Sequence, residues 1–128
     1  MTLLLDTHAL LWFLTNDPQL SVRARTAIED SSNETQVSAV CLWEAAIKFG
    51  LGKLKLPAPY AEIFPSQLLL NGFALLPDTP AHCATLLTFP LHHRDPFDRM
   101  LLAQAKTEGM TLVSDDGQFQ PYGVPLLW

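Results

Sequence analysis

Basic side chains are scarce in this chain: eight Lys and Arg against thirteen Asp and Glu leave a formal net charge of -5 over 128 residues. Holding nucleic acid by bulk electrostatics needs clustered Lys and Arg, so the balance argues against that mode of binding. It leaves room for an enzyme acting on phosphodiesters, because divalent cations bound to several carboxylates cancel negative charge where a substrate sits. Cysteine is scarce too. Cys41 and Cys83 lie in apolar segments without metal-ligand spacing, so neither a disulfide framework nor a zinc site is expected, and a reducing cytoplasm fits best. Long apolar runs are missing: Asp6 and His8 interrupt the amino-terminal "MTLLLDTHALLWFLT", which has no basic leader and no small-residue cleavage site. That segment reads as neither a signal peptide nor a membrane span. There is no internal repeat or low-complexity tract. With 48% hydrophobic and 16% charged residues, the length suits one compact domain over 1–128 and is too short for two ordinary ones.

What is present is a regular alternation. "TLLL" at 2–5 is a short apolar run suited to a buried strand, and "HALLWFLT" follows it with helical periodicity. "NDPQLS" is a turn, and Ser21 caps a helix to about Asp30. A second strand is expected at "TQVSAV", followed by the helix "CLWEAAIKFGLGK", which ends at Gly50 or Gly52. "KLPAPYAEIFPSQLLLNG" reads as a proline-bounded connection and one shorter helix stopping at Asn71 and Gly72. "FALLP" is a third strand, and Thr79 with Pro80 opens a helix through "AHCATLLTF". A further helix starts in "HHRDPFDRMLL" and closes at Gly109; "MTLVSD" and "GVPLLW" supply the last strands. Short apolar strands alternating with helices predict an α/β protein, a three-layer α/β/α sandwich around a mostly parallel sheet. In such sheets ligands bind beyond the carboxyl ends of the strands.

The acids cluster at those ends. Asp6 directly follows the first strand, where a helix N-cap is an equally good explanation. Thr7 and His8 beside it are either partners of the acid or simply a first helical turn. Glu44 sits in a helix apolar on nearly every side, where a charge needs a partner or a ligand; an exposed i,i+4 pair with Lys48 is the plain alternative. Asp95 before Pro96 reads as an N-cap, which puts Asp98 at the third helical position with its backbone fixed. Asp115 and Asp116 follow the strand "TLVS", and an Asp-Gly turn accounts for at least one of them, with Ser114 able to bond a neighbouring carboxylate. Taken together, Asp6, Glu44, Asp98 and Asp116 fall at one edge of this map, and helix caps do not explain the coincidence. Close carboxylates repel by several kcal/mol at an effective dielectric of about 20, so a cation is implied. An all-oxygen set suits Mg²⁺ or Mn²⁺ rather than zinc.

The segments "LLLDTHALLWFL", "VSAVCLWEAAIKFGLGKLKL", "HHRDPFDRMLLAQA" and "TLVSDDGQF" occur in an order, and over a share of the chain, that resembles the PIN-domain ribonucleases. The likeness is to the toxin half of VapBC-type toxin–antitoxin pairs. It implies a PIN-like fold and an endoribonuclease whose four acids fall on Asp6, Glu44, Asp98 and Asp116. Asp6, Asp98 and Asp116 are implied as the principal Mg²⁺ or Mn²⁺ ligands, and Glu44 as a ligand, a water holder or a proton acceptor. Ser114 stands where Thr is more usual and keeps the hydroxyl. Thr7, Ser114, Asp95 and Arg99 are implied as neighbours that support the acids. Lys48, Lys53, Lys55, Arg94 and Arg99 are candidate phosphate contacts, with ordinary surface charge as the alternative for each. His92 and His93 have no role beyond a solvated loop. The resemblance also implies an RNA substrate, a cognate antitoxin covering the cleft and a homodimer, with apolar residues of "AEIFPSQLLL" available to an interface. Two other readings remain: an inactive PIN-like module that binds RNA or protein, and a phosphoacceptor signalling domain. The latter lacks a strand-end lysine near the carboxyl terminus and has no place for Glu44.

Overall fold

The structure is a computed structural model and describes residues 1–91 and 95–128. Five strands, β1 (Thr2–Leu5), β2 (Glu34–Ser38), β3 (Ala74–Leu76), β4 (Thr111–Val113) and β5 (Leu126–Leu127), form one sheet in the order β3-β2-β1-β4-β5. Every pairing is parallel, where the sequence predicted a mostly parallel sheet. The helices are α1 (Thr7–Leu14), α2 (Val22–Glu29), α3 (Ala39–Gly50), α4 (Tyr60–Ile63), α5 (Ser66–Leu70), α6 (Pro80–Leu87) and α7 (Pro96–Glu108). The two sheet faces divide the core by the twofold period of a strand. Leu3 and Leu5 face a cluster with Ala9, Leu10, Ile28 and Leu68, whereas Leu4 and Leu112 face Leu101, Leu102 and Tyr122. This is the expected three-layer α/β/α arrangement.

Local chemistry explains both the agreements and the departures. The predicted strand at 35–40 ends two residues early, because the Ser38 hydroxyl accepts from the Val40 amide and starts α3 at Ala39. In place of one short helix before Gly72 there are two, α4 and α5, broken at Phe64 and Pro65. Proline has no amide to donate into a continuing helix. A 3₁₀ helix over Gly117–Tyr122, absent from the sequence reading, follows Asp116. Helix α7 behaves as expected: the Asp95 carboxylate accepts from the Phe97 and Asp98 amides, Pro96 occupies the first turn, and Gly109 closes the helix at φ 66°. In the segment offered as an apolar interface, Ile63, Phe64 and Leu68 are buried and Leu69 and Leu70 are exposed.

The strand order creates the feature that matters most. The chain leaves central β1 towards β2 and β3, then returns to the other side of β1 as β4 and β5. The direction of winding therefore reverses between β1 and β4, and a crevice opens at their carboxyl ends. Leu5 is in register with Val113, and the Asp6 amide bonds the Val113 carbonyl at 3.2 Å.

Candidate active site

Beyond those strand ends lies a cavity of about 400 Å³ lined by Asp6, Thr7, His8, Glu44, Lys48, Asp95, Asp98, Asp115, Asp116 and Phe119. All four acids singled out from the sequence meet here, each delivered by a different piece of chain. Asp6 is the junction of β1 and α1; its carboxylate accepts from the Ala9 amide at 2.7 Å, so the cap and the cavity lining are one residue. Glu44 projects from the second turn of α3, Asp98 from the first turn of α7, and Asp116 from the start of the 3₁₀ helix, where it accepts from Gln118 at 2.9 Å. Both readings of these acids therefore hold together: Asp6 and Asp116 cap helices while lining the cavity.

Thr7 and Ser114 stand where supporting partners were expected. The Thr7 hydroxyl donates to Glu44 Oε1, and Lys48 Nζ donates to Oε2 at 2.6 Å, so the buried Glu44 carboxylate is held at both oxygens. Its pairing with Lys48 is the plain i,i+4 alternative, with the carboxylate buried and the Lys48 side chain half-exposed. The buried Ser114 hydroxyl bonds the Asp6 carboxylate and accepts from the Asp116 amide at 3.1 Å, tying the ends of β1 and β4 together. Asp95 lines the cavity and caps α7 at the same time. Arg99 is oriented differently from the acids: its Nη1 donates to the Pro90 carbonyl at 3.0 Å and the Tyr122 hydroxyl at 3.4 Å.

Among the basic candidates, Lys48 lines the cavity, whereas Lys53 and Lys55 are exposed away from its lining. Arg94, His92 and His93 lie outside the described residues. His8, read from sequence as either a partner of Asp6 or part of a first helical turn, lines the cavity, as do Asp115 and Phe119, to which no site role was given. His8 is the second residue of α1, directly after Thr7. Its ring stacks on Trp12 at a centroid distance of 5.3 Å.

The electrostatics of the cavity are lopsided. Among the described residues, six of those lining it are carboxylic acids and Lys48 is the one Lys or Arg. Burial raises the Asp6 carboxyl from its ordinary 3.8 to about 6, against the opposing pull of Ser114, the Ala9 amide and His8. Burial likewise pushes the Cys41 thiol up to about 12, and the charges of Asp6, Glu44 and Asp98 add to that push, which shows three of the acids acting on one buried point. Lys48 is held charged above its usual range chiefly by its bond to Glu44, with Asp95 and Asp98 contributing.

A divalent cation fits this donor set, with one qualification of geometry. Among the described residues no three Asp, Glu, His or Cys side chains converge tightly enough to clasp a metal directly. Instead, Asp6, Glu44 and Asp116 are turned to their own hydrogen-bond partners. Mg²⁺ keeps several of its waters and is commonly held by only one or two direct carboxylates, so a water-filled acidic cavity suits it. A lining dominated by carboxylate oxygens suits a hard cation such as Mg²⁺ or Mn²⁺ better than zinc.

The profile of the PIN domain matches residues 3–124. The chain belongs to the PIN domain family. The PIN chain is 30% identical over 125 residues to Ribonuclease VapC22 of Mycobacterium tuberculosis (strain ATCC 25618 / H37Rv), covering 97% of this chain and 94% of that one. In fold it resembles VapBC2 from Rickettsia felis, solved bound to a DNA fragment from its promoter, with a TM-score of 0.74, 16% identity and coverage of 98% and 97%. It also resembles the DNA-bound VapBC of Salmonella typhimurium, with a TM-score of 0.67, 18% identity and coverage of 98% and 96%. No helix among the described residues of this PIN protein is long and apolar enough to cross a membrane.

Proposed function

We propose that the protein is a VapC-like endoribonuclease toxin that hydrolyses RNA phosphodiester bonds with the help of Mg²⁺ or Mn²⁺, and that residues 1–128 act as one PIN domain. The observation carrying this reading is the meeting of Asp6, Glu44, Asp98 and Asp116, from four separate elements, in one cavity at the β1–β4 crevice. The relative named Ribonuclease VapC22 supports the substrate class, and the VapBC structures support an antitoxin as partner.

In this reading Asp6, Asp98 and Asp116 would hold the cation, in part through its retained waters, and Glu44 would hold a water or accept its proton. A bound divalent cation supplies Lewis-acid polarisation of the phosphate and a water of lowered pKa. The rest of the chemistry belongs to the chain. Thr7 and Lys48 fix the orientation of Glu44, and Ser114 orients Asp6. Capping by Asp95 fixes the backbone that presents Asp98. Among the described lining residues, Lys48 offers a positive charge for a phosphate oxygen. The antitoxin covers the cavity, and the exposed Leu69 and Leu70 are available to a homodimer. The protein works in the cytoplasm.

The test is cleavage of a structured RNA pool by purified protein freed of its antitoxin. Cleavage should need Mg²⁺ or Mn²⁺ and should vanish in Asp6→Asn and Asp98→Asn variants that unfold cooperatively. Robust cleavage by folded Asp98→Ala would overturn the site assignment; no cleavage of any RNA by the wild type with either metal would favour an inactive binding module.

A further inference from the structure

The proposed chemistry leaves unused a polar chain buried behind the cavity. Gln104 and His82 are fully buried, on helices whose neighbouring residues are apolar. Gln104 lies between Leu101, Leu102, Ala103 and Ala105, all buried, where Leu or Met would satisfy the packing. A buried amide is tolerated only if its hydrogen bonds are made, and here they are. The Ser38 hydroxyl donates to Gln104 Oε1 at 2.5 Å while accepting from the Val40 amide. Gln104 Nε2 faces His82 Nδ1 at 3.5 Å, and that nitrogen also accepts from the Thr79 amide at 3.1 Å. With Nδ1 accepting, Nε2 carries the hydrogen, which points at Glu108 Oε1 at 2.8 Å.

The two ends of the Ser38–Gln104 bond have direct relations to the site. Ser38 ends β2 and caps α3, the helix that carries Glu44; Gln104 belongs to α7, the helix that carries Asp98. Apolar contacts between two helices are tolerant of sliding, whereas a buried hydrogen bond between a fixed cap and a side chain held at its other end specifies one register. We propose that Gln104 is a positioning residue: through Ser38 on one side and His82 on the other, it locks α3 against α7 and so sets the gap between Glu44 and Asp98. It touches neither metal nor substrate. Its catalytic consequence rests on the nuclease reading above, but its geometric one does not.

A reporter for this geometry is already in place. Trp43, adjacent to Glu44 on α3, packs edge-on against Phe97, adjacent to Asp98 on α7, with ring centroids 5.2 Å apart. The experiment labels the three tryptophans with 5-fluorotryptophan, assigns Trp43 by its loss in Trp43→Phe, and compares wild type, Gln104→Met, Ser38→Ala and Ser38→Thr. In Gln104→Met the Trp43 resonance should shift or split, and kcat should fall about tenfold with KM changed less than about twofold, as expected for misplaced reacting groups. Ser38→Thr, which keeps the hydroxyl, should retain the wild-type resonance and rate. Should Gln104→Met fail to unfold cooperatively, Gln104→Leu carries the same comparison, since Ser38→Ala also removes the cap of α3. A folded variant lacking the bond but with an unaltered Trp43 resonance and unaltered kcat would overturn the proposal. If the wild type cleaves no RNA, the nuclease reading falls, and the fluorine spectrum alone decides whether the bond sets the α3–α7 geometry.

Discussion

Two polar clusters share the interior of this molecule, and they are built on opposite principles. Around Ser38, Gln104, His82 and Glu108, donors and acceptors alternate and each group finds a partner. Around Asp6, Glu44, Asp98 and Asp116, like charges are crowded, Asp6 is driven towards protonation by burial, and Lys48 is the one Lys or Arg among the described lining residues. A cluster of the first kind contributes stability and register. One of the second kind costs stability until something positive arrives, which is the signature of a site kept for binding rather than for folding.

The difference can be broken deliberately, and the largest effect is expected in the acidic cluster. Asp98→Asn should reduce RNA cleavage by at least about 10³-fold while leaving the melting temperature of the metal-free protein unchanged or raised, as checked by cleavage assay and calorimetry. In the satisfied cluster the signs reverse: His82→Leu should cost about 2 kcal/mol in urea unfolding, because it removes the link to Glu108 and half of the Thr79 capping box.

A pH experiment sharpens the comparison further. The folded-state pKa of Asp6, about 6, lies above its ordinary 3.8, so between those values the native protein binds more protons than the unfolded chain. Stability in chelator should therefore fall as pH rises from about 4 to 6, by up to about 3 kcal/mol, and flatten above it. In Asp6→Asn this component should disappear, and Mn²⁺ should stabilise the wild type more at pH 7.5 than at pH 5. The smallest effect belongs to Asp95→Asn, which keeps a capping oxygen for α7 and should retain activity within about fivefold. Loss equal to that of Asp98→Asn would place Asp95 among the metal ligands.

Much of this architecture was legible because its boundaries are written in side chains. Ser21, Thr79 and Asp95 with Pro96 mark helix starts, Gly109 marks an end, and "TLLL" before Asp6 marks a buried strand with an acid at its tip. The acids could be assigned to one edge of the sheet for the same reason. What sequence could not supply was the strand order, and it is the adjacency of β1 and β4 that brings Asp6 beside Ser114 and Asp116. Asp115 and Phe119 entered the cavity lining because the chain winds into a 3₁₀ helix after β4, a short element without a periodic pattern to announce it. Gln104 and His82 were invisible for a different reason: a lone polar residue in an apolar helix gains meaning only when the partner, 66 residues from Gln104 in the case of Ser38, is seen in space.

The central claim is that the acidic cavity is a cation site, and calorimetric titration of Mn²⁺ into the antitoxin-free protein tests it most directly. The expected result is saturable binding at pH 7.5 that weakens at pH 5 as Asp6 takes up a proton, and that is lost in Asp98→Asn. Absence of binding by the folded wild type, or equal binding by wild type and by the Asp6→Asn and Asp98→Asn variants, would contradict it.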